Sequence, residues 1–122
     1  MCPSMVNGLG NVNDYYFVFI NACRSADPTN VTRWINAFNT HCYMGWAESV
    51  TAETASGFAQ KFFKGCSLGI SVMGARDWAI NKMKDGDPQE ASSKIKLLPG
   101  KGHNDAYLLN FKIDQRVRQE GN

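Results

Sequence analysis

An apolar run near the amino terminus constrains the fold of this chain more than any other feature. Residues 15–20 read Tyr-Tyr-Phe-Val-Phe-Ile, and Asn21, Ala22, Cys23, Arg24 and Ser25 follow at once. A half-exposed strand alternates apolar and polar residues, whereas a strand that is covered on both faces does not. We therefore predict that residues 15–21 are a buried strand of a parallel or mixed sheet covered by helices.

The composition indicates a single small globular domain. The 122 residues are 43% hydrophobic and 20% charged, and the formal net charge is +2. This basic excess is too weak to indicate a nucleic-acid-binding surface. No apolar run is long enough to cross a bilayer. The first residues lack the pattern of a signal peptide. We expect a cytoplasmic protein that binds neither nucleic acid nor membranes.

The spacing of apolar residues predicts a small three-layer α/β unit with the order β-α-β-α-α-β-β and about three or four strands. A helix starts near Val31, because apolar residues recur at helical spacing up to Phe38. Residues 41–46 form a second strand, and a strand-helix-strand series favours a parallel crossover. A helix capped by Thr51 runs to Gly65, and another starts at residue 67 or 70 and ends at residue 84.

The carboxyl-terminal third is predicted to contain two further strands. Residues 85–88 end the preceding helix, since glycine and proline interrupt helices. Residues 89–93 read as a polar loop, 94–98 as a short edge strand and 106–113 as a longer strand. Residues 1–14 then form an arm, residues 15–113 a single domain and residues 114–122 a polar tail.

The cysteines and histidines give no sign of disulfides or of a metal site. Four cysteines at irregular spacing, without evidence of secretion, are expected to be thiols: Cys2, Cys23, Cys42 and Cys66. Structural zinc sites carry closely spaced cysteine or histidine pairs, and neither spacing occurs. We expect no metal and no cofactor.

Three segments carry a resemblance to a known family. They are residues 17–25, with Ala22-Cys23-Arg24 at the end of a strand, residues 42–50, with Gly45-Trp46, and residues 55–63. In order and spacing they resemble the C-terminal half of caspase-like cysteine peptidase domains, the superfamily of caspases, gingipains and clostripain-type enzymes. The resemblance covers residues 14–84 and implies that Cys23 matches the nucleophile.

The sequence departs from the family pattern in ways that bear on activity. Asn21 stands where caspases have glutamine, and Ser25 where they have a glycine whose turn positions oxyanion-stabilising backbone donors. The catalytic histidine of caspases precedes the cysteine by about 50 residues, and only 22 residues precede Cys23. The resemblance therefore implies a truncated domain without the catalytic His-Gly element.

Two interpretations of Cys23 remain open. A nucleophilic cysteine needs a neighbouring imidazolium, helix N-terminus or other positive group, and Arg24 supplies part of this. The ordinary alternative, which we favour, is a buried and inert thiol. His41 should lie at the opposite end of the sheet from the cysteine, as a solvated or capping residue, and His103 is the one candidate base within the chain.

The truncation predicts a homodimer. In complete caspase-like domains the cysteine strand is internal to the sheet, and a bare apolar edge would template aggregation. The segment that covers the apolar edge of this strand is residues 1–14, the strand at 106–113 or a second copy of the chain. We favour the second copy, in a two-fold dimer. The dimer edge would be formed by Tyr15, Tyr16, Phe17, Val18, Phe19 and Ile20.

The sequence favours a pseudoenzyme over an active enzyme. The first hypothesis is a degenerate caspase-like domain that acts as a protein-binding or regulatory module. Its binding residues would be Arg24, Ser25, Trp46 and Glu48. The alternative is a cysteine peptidase or thiol hydrolase with Cys23 as nucleophile and a base from His103 or from another chain. A purely structural role in assembly is a third possibility.

Overall fold

The structure is a computed structural model that describes residues 15–100 and 102–113. These residues form a mixed α/β fold with three strands and five helices, which confirms the predicted fold class. In chain order the elements are β1 (Tyr15–Phe19), α1 (Val31–Phe38), β2 (Thr40–Trp46), α2 (Ala52–Ser67), α3 (Val72–Lys82), α4 (Pro88–Lys94), β3 (Ile95–Pro99) and α5 (Asp105–Asn110).

The chain divides into two compact units. Among the described residues, the first contains residues 15–49, 94–100 and 102–105, and the second contains residues 50–93 and 106–113. The first unit therefore holds the sheet and α1, and the second holds most of the helices.

The described residues of the first unit form one three-stranded sheet in the order β1-β2-β3. β1 and β2 are parallel, as the sequence predicts. Phe19 lies opposite Met44. β2 and β3 are antiparallel, with Trp46 opposite Ile95. The carboxyl ends of β1 and β2 consequently lie at the same edge of the sheet.

Helix α1 packs on this sheet through the apolar stripe predicted from its spacing. Its Trp34 and Ala37 are buried in a cluster with Ala26 and Tyr43. The partly buried residues around this cluster are Val18, Ile20, Val31, Ile35 and Phe38. The sequence prediction of an amphipathic helix from Val31 to Phe38 is confirmed.

The prediction that β1 is buried on both faces is wrong for its described side chains. Residues 17–20 are half-buried, and Asn21 is exposed. The physical reason is the position of β1 at the end of the strand order, since a terminal strand is covered less than a central one. Continuous apolar sequence therefore overstated the burial of this strand.

The two long helices of the second unit pack closely on each other. The Thr51 hydroxyl caps α2 by accepting a hydrogen bond from the Thr54 N–H, and the Ser71 hydroxyl caps α3 in the same way from the Gly74 N–H. At the contact, a β-carbon on Gly65 would lie 3.3 Å from Ala75. Both helices were predicted, and only their ends differ by a few residues.

The prediction of a polar loop at residues 89–93 is wrong, because α4 spans Pro88–Lys94. The sequence predicts that residues 85–88 end the preceding helix, yet proline is also well suited to the first position of a helix. The Asp87 carboxylate accepts a hydrogen bond of 2.9 Å from the Gln89 N–H and so caps the new helix. Proline here marks a start as well as a stop.

The prediction of a strand at residues 106–113 is also wrong, because α5 spans Asp105–Asn110. Tyr107 and Phe111, four residues apart, stack with ring centroids 5.2 Å apart, which is the neighbour spacing of a helix. Asp105 places a negative charge in the first turn, where its interaction with the helix dipole stabilises the helix. Local helical contacts thus prevail over the β-propensity of the apolar run.

Within residues 15–100 and 102–113, no helix has both the length and the apolar character needed to cross a bilayer. The predicted arm at residues 1–14 and the tail at 114–122 lie outside the described residues.

Candidate functional site

The residues between β1 and α1 form a turn that is fastened to the end of β2. We call residues 21–26 the Cys23 turn. The Ala26 N–H donates to the Trp46 carbonyl at 2.8 Å, and the Arg24 N–H donates to the Glu48 carbonyl at 3.3 Å. Since β1 and β2 are parallel, the turn lies at the edge of the sheet where their carboxyl ends meet.

Ser25 holds the Cys23 turn in place from inside. Its side chain is buried, and its hydroxyl donates to the Ile20 carbonyl at 2.6 Å while accepting from the Trp46 N–H at 3.0 Å. Its own carbonyl accepts a hydrogen bond from the Tyr43 hydroxyl. One serine therefore links the end of β1 to two positions of β2.

Burial at this position raises the pKa of Tyr43 above its ordinary value. A phenolate would be poorly solvated here, so Tyr43 stays neutral and donates its proton to the Ser25 carbonyl. Tyr43 thus acts as a fixed donor within the core.

Gly45 lets the turn approach β2 closely. A β-carbon at this position would lie 2.5 Å from the Ser25 hydroxyl oxygen and 3.1 Å from the Ala26 β-carbon. Any side chain larger than hydrogen would therefore displace Ser25 or the strand.

A side-chain hydrogen bond between Trp46 and Asn21 also joins the turn to β2. Trp46 is fully buried, and its indole N–H donates to the Asn21 side-chain oxygen at 2.6 Å. Trp46 and Ser25, both predicted as binding residues, are placed inside the protein as supports of the turn.

Cys23 is exposed at the surface of this turn, so the favoured expectation of a buried thiol is wrong. Ser25, two residues later, occupies the buried position instead, because it has hydrogen-bond partners there. Arg24 and Glu48 are also exposed. Arg24 has a φ of +62°, a left-handed conformation that is uncommon for residues other than glycine.

The two histidines lie together at the other end of β2. The ring centroids of His41 and His103 are 4.8 Å apart. His41 is the second residue of β2, and Trp46, which contacts the Cys23 turn, is the last. A strand rises about 3.3 Å per residue, so His41 and Trp46 are about 17 Å apart along β2. The structure does not bring His103 to Cys23.

The Cys23 turn consequently presents an accessible thiol together with charges of both signs, and the two imidazoles lie away from it. Both histidines of the sequence belong to the described residues, and neither lies in the turn. Cys23, Cys42 and Cys66 are thiols, and the described residues include no group of three or more His, Cys, Asp or Glu side chains that could hold a metal ion.

Sequence reasoning missed Tyr43 and Asn21 as supports of the turn. Both residues lie in segments that carry the resemblance, Asn21 in residues 17–25 and Tyr43 in residues 42–50. Neither gave a signal for this role, since the sequence does not indicate which group a tyrosine hydroxyl or an asparagine side chain will bond in the fold. No family model, no curated protein and no solved structure matches this chain.

Proposed function

We propose that this chain is a degenerate caspase-like domain that acts as a protein-binding or regulatory module, with the Cys23 turn as its contact surface. One observation carries the proposal. The turn presents Cys23 to solvent, while both histidines lie together at the opposite end of β2. An exposed thiol can contact a partner, and neither imidazole of the chain is placed to take up its proton.

The order of elements supports the caspase-like character of the proposal. The resemblance predicts a strand, a cysteine, a helix, a parallel strand ending in Gly-Trp and a further helix. β1, the Cys23 turn, α1, β2 and α2 follow in that order, with β1 and β2 parallel. Gly45 and Trp46 both contact the residues of the turn, which gives this pair a structural reason.

The chemistry of the surface indicates the kind of partner. Arg24 and Glu48 are exposed beside Cys23, and their backbones are joined by a hydrogen bond. A cation, an anion and a polarisable thiol on a preorganised turn suit a polypeptide surface that carries charges of both signs. Preorganisation by Ser25 reduces the entropy that ordering the turn would cost on binding.

Thiol reactivity tests the absence of an activating base. The folded protein is labelled with iodoacetamide between pH 5 and pH 9, and the sites are mapped by mass spectrometry. We expect Cys23 to be labelled at neutral pH no faster than N-acetylcysteine measured alongside. The buried Cys42 and Cys66 serve as internal controls and should be labelled only on unfolding. Fast labelling near neutral pH that disappears in Cys23→Ala would contradict the proposal.

Site-directed crosslinking tests the binding role. A photocrosslinker attached to Cys23 should capture a specific partner, and Arg24→Glu or Glu48→Lys should reduce the capture. The matched control carries Cys23→Ser together with Ser92→Cys, since Ser92 is exposed on α4. Equal capture from both positions, or no effect of the charge changes, would contradict a contact surface at the turn.

The alternative is a thiol hydrolase that receives its base from another chain. The exposure of Cys23 favours it over the inert thiol, because a buried sulfur could not reach a substrate. Early and selective labelling of Cys23 that appears only when a second polypeptide is added would support this alternative.

A further inference from the structure

A pair of imidazoles lies at the start of β2, away from the Cys23 turn. We call His41 and His103 the His pair. Their ring centroids are 4.8 Å apart, and the ring planes are inclined by 39°. Both side chains are half-buried. The proposed function does not use either residue.

The backbone around the His pair fixes the separation of the two residues. The Gly100 N–H donates to the His41 carbonyl at 2.8 Å, and the His103 N–H donates to the Gly100 carbonyl at 3.1 Å. Gly100 also lies so close to β2 that its β-carbon, if present, would overlap the Thr40 carbonyl. Gly100 therefore links both members of the pair through its own backbone hydrogen bonds.

We propose that the His pair binds a divalent transition-metal ion of the kind that imidazole favours, such as Zn²⁺ or Ni²⁺. A metal–nitrogen distance of about 2.0 Å places each ring centroid about 3.2 Å from the metal. Two imidazoles on one ion at tetrahedral or right angles then have centroids about 4.5–5.3 Å apart. The observed 4.8 Å lies within this interval.

Two imidazoles form an incomplete coordination shell, so water or a partner supplies the remaining ligands. Binding is then weaker than at a structural zinc site with four protein ligands. Because the ion joins β2 to the turn that precedes α5, it stabilises the folded chain over the unfolded one. The His pair is thus a metal-dependent clasp between two segments that are distant in sequence.

A titration with Ni²⁺ alone tests the proposal. The protein carries Cys23→Ser, so that the exposed thiol does not compete. Because the chain has two histidines, each imidazole signal in the NMR spectrum can be assigned with one variant. We expect the paramagnetic ion to broaden both imidazole signals together, with one dissociation constant, and Zn²⁺ to displace it.

Single variants separate chelation from independent binding. His41→Gln and His103→Gln should each weaken Ni²⁺ binding by about tenfold or more, because the second ligand of a chelate binds at high effective concentration. His103→Gln affects a turn and so serves as the safer variant if His41→Gln reduces folding. Zn²⁺ should raise the thermal midpoint of the parent protein and not that of either variant.

Two results would overturn the proposal. The first is broadening of each imidazole with its own dissociation constant, unaffected by loss of the other, which would leave a ring contact only. The second is the same thermal shift with Zn²⁺ in the parent and in His103→Gln, which would place the ion elsewhere.

Discussion

Buried polar groups, rather than apolar ones, give the Cys23 turn its shape. The buried Ser25 hydroxyl bonds to the Ile20 carbonyl and the Trp46 N–H, and the Tyr43 hydroxyl donates to the Ser25 carbonyl. Each such group is costly to leave without a partner, by about 1–3 kcal/mol. These side chains therefore favour one conformation of the turn over the alternatives and hold Cys23 at the surface.

The raised pKa of Tyr43 predicts a loss of stability in alkaline solution. Tyrosine in an unfolded chain releases its proton near pH 10, whereas the folded protein retains it at higher pH. The unfolded state then binds fewer protons, so the free energy of unfolding falls as the pH rises above about 10. Tyr43→Phe removes this contribution.

Urea unfolding at pH 8 and at pH 11 measures the effect. At pH 8, Tyr43→Phe should be less stable by about 1–3 kcal/mol, because the Ser25 carbonyl loses its donor. At pH 11 the difference between the two proteins should shrink. Other titrating groups are common to both proteins and cancel. An equal difference at both pH values would show that Tyr43 does not cause the alkaline loss.

Close approach between neighbouring segments positions the Cys23 turn against β2. This approach depends on Gly45, because a β-carbon there would lie 2.5 Å from the Ser25 hydroxyl oxygen. The same logic applies to α2, where a β-carbon on Gly57 would overlap the Asp85 carbonyl. Glycine thus sets the spacing at two contacts that the hydrophobic pattern does not indicate.

Gly45→Ala should destabilise the protein and loosen the Cys23 turn. The added methyl group displaces the Ser25 hydroxyl, and overpacking of this kind costs about 1–3 kcal/mol. We expect a lower urea midpoint. We also expect iodoacetamide to label the buried Cys42, three residues before Gly45 in β2, faster in the same sample.

Gly69→Ala is the matched control for this change. Gly69 has a φ of +83° but open space around its α-carbon, so alanine there costs only the left-handed penalty of about 1–2 kcal/mol. Both variants should speed the labelling of Cys42 through global unfolding, and Gly45→Ala should speed it further by opening β2 locally. Indistinguishable labelling in the two variants would argue against a steric role for Gly45.

Association through β1 remains a prediction for the assembled protein. β1 is at one end of the strand order among the described residues, and its sequence is apolar. Three segments were candidates to cover the edge of β1. The predicted strand at 106–113 is excluded, because residues 105–110 form α5. Residues 1–14, which lie outside the described residues, and a second copy of the chain remain.

Light scattering between 1 and 100 µM, a range typical of weak dimers, measures the oligomeric state. We expect a mass that approaches twice that of the chain as the concentration rises. Phe17→Lys on β1 should abolish this rise, while Phe63→Lys on α2 should not, since Phe63 is an exposed aromatic residue of a helix and not of β1. A constant monomer mass would exclude the dimer.

The sequence by itself determined the elements that have strong local signals. β1, α1 and β2 follow from the apolar run and from helical spacing, and α2 follows from the Thr51 cap. The sequence failed at residues 88–94 and 106–113, where Pro88 starts a helix and an apolar run folds as α5. Propensity is a weak guide in such short segments, because capping and side-chain contacts decide between near-equal alternatives.

Tertiary structure alone decided the exposure of Cys23 and the separation of Cys23 from His103. Sequence order could not show that Ser25, two residues after Cys23, takes the buried position, because its partners Ile20 and Trp46 meet only in the folded sheet. Likewise, His103 lies beside His41 because the Gly100 turn pairs with the start of β2. Hydrogen bonds between distant segments form only when the sheet register is fixed, and that register places the thiol and the imidazoles at opposite ends of β2.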